Sequence, residues 1–184
     1  MSETLESPIK VPPNVKIGSG TVLEGKETFR RFFSEREPAI EIGAQCHLSG
    51  VQLALGKQAT LQIGDHVFAA HLIVLAEQEV RIGNCVFISF NVVIADTDFH
   101  PIEPAQRMLD AIAVSPLANG RQRPPIATAP VIIEDDVWIG PNVTILKGVH
   151  IGAGAFIEPG SLVTRAVPAR ARVIGNPAQI VGEV

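Results

Sequence analysis

Apolar residues recur every six positions through most of this chain. Ile133, Ile139, Ile145, Ile151, Ile157 and Val163 follow one another at that spacing. Four places after each stands another small or branched residue: Val137, Val143, Val149, Ala155, Ser161 and Val167. Upstream the same phase holds at Ile63, Ala69 and Leu75, then at Ile82, Ile88 and Ile94. A period of six fits neither an amphipathic helix, whose period is about 3.6, nor a simple hairpin. With Gly, Asn or Asp following the apolar residue, each hexad reads as a short strand and a turn. Such a unit cannot bury its apolar edge alone and must stack on others like it, which predicts an all-β parallel β-helix.

The recurrence of Ile-Gly at Ile17, Ile42, Ile63, Ile82 and Ile151, with Ile133 in the same phase, sets three hexads to a coil. Three faces follow. The first carries Ile17, Ile42, Ile63, Ile82, Ile133 and Ile151; the second carries Leu23, Leu48, Ala69, Ile88, Ile139 and Ile157; the third includes Leu75, Ile94, Ile145 and Val163. Residues one place earlier point outward. On the first face these are mostly polar, but on the second they are Val22, His47, Phe68, Phe87, Trp138 and Phe156, and on the third Val74, Val93, Thr144 and Leu162. An external apolar stripe of that extent predicts a partner surface.

Three excursions interrupt the count. Residues 24–41 hold a charged, Phe-bearing insertion that suits a cap on the open end of the helix, and a smaller bulge falls near Leu53. From Ile94 to Ile133 the step is 39 positions where six are due, giving a loop over residues 95–130 with one short helix expected over residues 106–113. Loops of that length in compact domains are usually functional. The next core position after Ile94 is 100, and there the chain has His100, preceded by Asp96 and Asp98 and followed by Pro101.

Composition narrows the classes of function. The 184 residues are read as a single domain over residues 1–184 with a core of small aliphatics, since Tyr is absent and aromatics are 5%. A formal charge of −4 leaves no basic footprint for nucleic acid, and no lysine-rich helix suggests a membrane surface. The N-terminal residues lack the basic and apolar pattern of a signal peptide, so a cytoplasmic location is expected, with Cys46 and Cys85 as reduced thiols.

The segment from Ala129 onward, "APVIIEDDVWIGPNVTILKGVHIGAGAFIEPGSLVTRAVPARARVIGNPAQIVG", resembles the closing part of the hexapeptide-repeat acyltransferases, in particular the galactoside, maltose and xenobiotic acetyltransferase branch. The resemblance implies a left-handed parallel β-helix, a homotrimer with sites between neighbouring subunits, and acetyl-CoA as co-substrate. It implies His100 as the general base that takes a proton from an acceptor hydroxyl or amine, with Asp96 or Asp98 fixing its tautomer. Oxyanion donors would be backbone N–H groups. Trp138 would line the pantetheine channel, with the chain passing near Gly140 and Gly160, and Arg165 and Arg170 would meet the phosphates. After "GNPA" the family usually has Lys or Arg; this chain has Gln179, which moves the 3′-phosphate contact toward Arg165 and Arg170. His71 stands where related sugar acetyltransferases place an acceptor-binding Asn.

The acceptor so implied is a small-molecule sugar or polysaccharide precursor, acetylated on oxygen, with N-acetylation of an amino sugar as the alternative. Two readings of other classes stand beside it. Related β-helices include zinc hydratases resembling carbonic anhydrase, for which His66 and His71 supply a His-x4-His pair and His47 the third nitrogen. A non-catalytic trimeric scaffold is the other. No metal is expected in the acetyltransferase reading.

Overall fold

Each hexad forms one short strand, and successive strands go to three different sheets. In the computed structural model, which describes residues 9–116 and 118–184, the strands build a parallel β-solenoid of about seven turns, with one helix among the described residues. The N-terminal residues weighed above for a signal peptide lie largely outside the described residues.

The first sheet stacks Val15–Ile17, Ile40–Ile42, Thr60–Ile63, Glu79–Ile82, Val131–Ile133 and His150–Ile151. Its register joins Ile17, Ile42, Ile63, Ile82, Ile133 and Ile151 in one column, as the spacing requires. The second sheet aligns Leu23, Leu48, Ala69, Ile88, Ile139 and Ile157, and Val173 continues the column. It closes on an antiparallel hairpin of Ala171–Gly175 and Ala178–Glu183.

In the third sheet the count slips by one. Ile94 pairs with Val74 rather than Leu75; Val74 is buried, and Leu75 turns partly outward. The outward residue of that coil is therefore Ile73. The cause is a short corner, in which the step from Ala69 to Val74 is five positions instead of six and His71 makes the turn with φ of 53°. The length saved there reappears at the next corner, where Glu77 and Gln78 precede the strand Glu79–Ile82.

Two of the three corners are columns of left-handed residues. Gln45, His66, Cys85 and Asp136 have φ between 55° and 59° at one, and His71, Asn91 and Asn142 between 53° and 59° at the other. Non-glycine residues seldom adopt this conformation, and Asn and Asp tolerate it best. Outside the short corner at His71, the residue that turns these corners stands three places after the column residue, as Asp136 does after Ile133 and Asn142 after Ile139. Inside, Ile139, Ile145, Ile151 and Ile157 are fully buried at 0% exposure, so the interior is a stack of aliphatics.

The two larger excursions lie on the third sheet. Residues 24–41 run along the edge of Gln52–Leu55: Leu53 N donates to Thr28 O at 2.8 Å, Leu55 N to Arg31 O at 3.1 Å, and Phe33 N to Leu55 O at 2.9 Å. Phe32 makes a parallel bridge with Leu55, and Phe29 and Phe32 pack against the core. The insertion covers an edge strand whose amides would otherwise lack partners. The long loop leaves after Val93–Ala95 on an antiparallel stem, in which Thr97 bridges Thr128 and Ala129 N donates to Asp96 O at 2.9 Å. Its helix, Pro104–Ala113, begins with Pro104 in the first turn and Glu103 as N-cap, whose carboxylate accepts from Gln106 N at 2.7 Å. The only buried residue of that helix is Asp110.

Candidate active site

The chain departs from the core at Asp96, four residues before the count alone would place the break. Asp96 is fully buried, and its carboxylate accepts from the backbone N–H groups of Glu77, Gln78 and Glu79 at 2.7, 2.8 and 2.7 Å. Those amides belong to the irregular corner of the coil below, where the ladder cannot serve them. Burial pushes the Asp96 carboxyl up, against the pull of the three amides. Asp96 is thus a fastening for the corner and does not orient His100. Asp98 does not either: its Oδ1 pairs with Lys147 Nζ at 3.4 Å.

The partner of His100 is Asp110, from the loop helix. His100 Nδ1 lies 2.5 Å from Asp110 Oδ2, and Arg123 holds the same carboxylate with Nε 2.6 Å from Oδ1 and NH2 3.0 Å from Oδ2. Arg123 also donates from NH2 to Phe99 O at 2.8 Å. Phe99 has φ of 65°, an unfavourable conformation that tightens the turn in front of His100; His100 N donates to Asp98 O at 2.7 Å across it. The Arg123 guanidinium, and then the bond with His100, hold the Asp110 carboxyl down to about 2 against its burial. Because an ionised carboxylate only accepts, Nδ1 carries the proton and Nε2 is left as a base. His100 itself is half-exposed and does not fill a core position.

His100 and Arg123 line a cleft of about 480 Å³ together with Leu75 and Glu77 from the third sheet and its corner, and Arg31 and Phe33 from the first insertion. Desolvation raises the Glu77 carboxyl, and Arg123 works against that shift. Asp110, Arg123, Glu77, Arg31 and Phe33 were not evident in the sequence. The one available signal was an Asp in the middle of the expected helix, ten residues after His100.

The remaining candidates lie elsewhere. Trp138 points outward from the second sheet and stacks on Phe156, with ring centroids 4.1 Å apart, in one row with Phe87, Phe68 and His47. Gly140 is buried, and a Cβ there would stand 2.8 Å from Pro159 N; Gly160 is at an open corner with φ of 71°. His71 turns the corner between the second and third sheets and lies over Gly50, outside the His100 cleft. Arg170 is engaged by the C-terminal residue, its NH2 2.5 Å from Val184 O, and Arg172 by Glu158 Oε1 at 2.6 Å from Nε. Of the expected phosphate ligands, Arg165 is the exposed one with no partner among the described residues. Gln179 is in the final strand and donates weakly to Pro177 O at 3.4 Å. The histidines of the zinc reading do not converge: His66 and His71 turn different corners, and His47 lies 3.5 Å from Glu24.

Residues 130–165 match the family model "Bacterial transferase hexapeptide (six repeats)". Over 57 residues the chain is 53% identical to the 2,3,4,5-tetrahydropyridine-2,6-dicarboxylate N-acetyltransferase of Staphylococcus aureus, an overlap of 31% of this chain and 24% of that enzyme. The chain thus spans about a quarter of the length of the curated relatives it matches. Among solved structures, a hexapeptide-repeat acetyltransferase of Vibrio cholerae is 26% identical with a TM-score of 0.59, covering 91% of this chain and 73% of that one. The same enzyme has been solved with acetyl-CoA, with a TM-score of 0.53 at 26% identity, covering 92% of this chain and 70% of that one. A maltose O-acetyltransferase of Clostridium difficile shares the fold, with a TM-score of 0.57 at 24% identity over 92% of this chain and 69% of that one. The chain carries the hexapeptide repeats of the bacterial transferases and has the fold of the hexapeptide-repeat acetyltransferases.

Proposed function

We propose that the protein is an acetyl-CoA-dependent acetyltransferase in which His100 is the general base and the acceptor is a hydroxyl of a sugar or polysaccharide precursor. The observation that carries this reading is the buried Asp110 on Nδ1 of His100, a residue of the cleft wall, which leaves Nε2 as the nitrogen that can serve as base. Such a base takes the acceptor proton as the oxygen forms its bond to the thioester carbonyl carbon, and returns it to the sulfur as the C–S bond breaks. The co-substrate supplies an activated acetyl group. Asp110 stabilises the imidazolium that forms between the two transfers. Trp138, the open corner at Gly160, and Arg165 are the residues proposed to hold the coenzyme, with Gly140 letting the coils approach closely beside them.

Within one chain the second-sheet row containing Trp138 and the cleft containing His100 face different ways. This supports a homotrimer whose sites form between subunits, as the family resemblance implies. It also leaves His71 as a contact to a neighbouring subunit's acceptor. The two free cysteines and the use of acetyl-CoA agree with a cytoplasmic protein. Among the described residues no helix is long and apolar enough to cross a membrane.

O-acetylation is preferred to N-acetylation on the likeness to the galactoside and maltose branch; the Staphylococcus aureus relative is an N-acetyltransferase. The test is release of free coenzyme A from acetyl-CoA with a panel of sugars and amino sugars, comparing wild type with His100→Ala. Equal turnover by both would overturn the assignment of the base, and turnover confined to amino sugars would replace O-transfer by N-transfer.

A further inference from the structure

The first insertion, residues 24–41, contributes a wall to the His100 cleft in addition to covering a sheet edge. Residues 26–31 run beside Gln52–Leu55 as successive turns, with Arg30 N donating to Glu27 O and Phe32 N to Phe29 O, and Phe32 makes a single bridge to Leu55. Phe32 points in and packs on the core. Its neighbours Arg31 and Phe33 are exposed, and both line the cleft that holds His100. The segment is fixed firmly enough to present them. Ser34 is buried and its hydroxyl donates to Ala59 O at 2.7 Å; Glu35 N donates to Lys57 O at 2.9 Å; Thr28, also buried, donates to Gly25 O at 2.8 Å.

What the segment presents is a cation and an aromatic face, neither of them used by the protein itself. Arg30 is paired with Glu27 at 2.9 Å and Arg123 with Asp110, but the Arg31 guanidinium has no ion-pair or hydrogen-bond partner among the described residues. Phe33 is 63% exposed, although Phe29 and Phe32 on the same segment found places against the core. A guanidinium fork set on an anchored turn is suited to a carboxylate or phosphate, and an exposed ring to the apolar face of a pyranose. Glu77, which also lines the cleft, has a carboxylate that can accept from hydroxyls. A Cβ on Gly56 would stand 2.0 Å from Glu77 Oε2, so the glycine makes room for that carboxylate.

Resting on the acetyltransferase reading above, we infer that Arg31 and Phe33 select an anionic acceptor, a sugar bearing a carboxylate or a phosphate, with the anion on Arg31 and the ring against Phe33. The insertion is then the specificity element of the site, and His100 is its chemistry.

The test compares one neutral and two anionic glucose derivatives as acceptors, methyl glucoside, glucuronate and glucose 1-phosphate, with wild type, Arg31→Gln and Phe33→Ala. Arg31→Gln is expected to lower the ratio of kcat/KM for the anionic acceptors to that for methyl glucoside by about 10- to 100-fold, the size of one charge-assisted contact. Glucuronate against glucose 1-phosphate tells carboxylate from phosphate. Phe33→Ala should raise KM for all three sugars alike. Equilibrium binding of the same compounds to the His100→Ala protein, by calorimetry, separates recognition from transfer. Anion binding that Arg31→Gln abolishes supports the inference even if none of the three sugars is acetylated, in which case the transfer reading alone fails. A charge ratio unaltered by Arg31→Gln, or anion binding absent or unaltered, overturns it.

Discussion

His100 Nδ1 and Asp110 Oδ2 lie 2.5 Å apart, and only the carboxylate is buried. The pair joins the start of the long loop to its helix, so one contact both orders the loop and fixes the imidazole tautomer. His100→Ala should lower kcat by about 10²- to 10⁴-fold, the usual worth of a positioned base. Asp110→Asn should lose part of that factor, mainly in kcat. If Asp110 acts through His100, adding Asp110→Asn to His100→Ala costs nothing further in kcat, measured by steady-state kinetics. Multiplying losses would show that the two act separately.

The same pair sets an acid limit for the loop. The Asp110 carboxyl is held at about 2, below its ordinary 3.8, so the folded state favours its ionised form. The tether to Arg123 and His100 is therefore fully present above pH 3.8 and is lost as pH falls toward 2. Limited digestion of the loop by pepsin should stay slow at pH 4.5 and accelerate between about 3.8 and 2 in wild type. In Asp110→Asn the loop should be cut readily throughout that range.

Asp96 predicts a different phenotype from its neighbour in sequence. Replacing it with Ala strands three corner N–H groups, which should cost about 2–4 kcal/mol of stability. Thermal unfolding should show the loss as a drop in Tm. The KM for acetyl-CoA should change little in protein that remains folded.

The two glycines near the proposed coenzyme path separate packing from access. Gly140→Ala puts a Cβ 2.8 Å from Pro159 N, backbone that cannot move aside without parting two coils, and should destabilise by about 3 kcal/mol. At Gly160 a Cβ meets nothing within 4 Å. Its left-handed backbone costs only about 1–2 kcal/mol with alanine, so Gly160→Ala should fold and show its effect in the KM for acetyl-CoA.

Among the arginines near the C-terminus, Arg165→Ala should raise the KM for acetyl-CoA, with a smaller effect on its 3′-dephospho form if it meets the 3′-phosphate. Arg170→Ala should instead loosen the final strand, since its guanidinium and its backbone carbonyl are both bonded to Val184. Hydrogen exchange in residues 178–184 would rise in that variant and remain unchanged in Arg165→Ala.

The hexad count alone determined which residues share a sheet column on the first two faces. Strand pairing there repeats from coil to coil, and burial repeats in every coil after the first, where Ile17 is exposed, so one local rule fixes the contacts: Ile133, Ile139 and Ile151 could be assigned without coordinates. It also located the long loop and its helix, because an interruption of a period is as legible as the period. The rule failed where coils cease to be equivalent. The short corner at His71 moved Val74 into the core in place of Leu75, since nothing in six-residue spacing records a five-residue turn compensated at Glu77 and Gln78. Proximity in sequence likewise favoured Asp96 and Asp98 as partners of His100. Tertiary structure decided otherwise, because the amides of the Glu77 corner took Asp96, Lys147 took Asp98, and the fold of the loop brought Asp110 back across ten residues. The convergence of Arg31 and Phe33 with His100 is of the same kind: two insertions separated by two coils meet only because the solenoid stacks the places where they leave it.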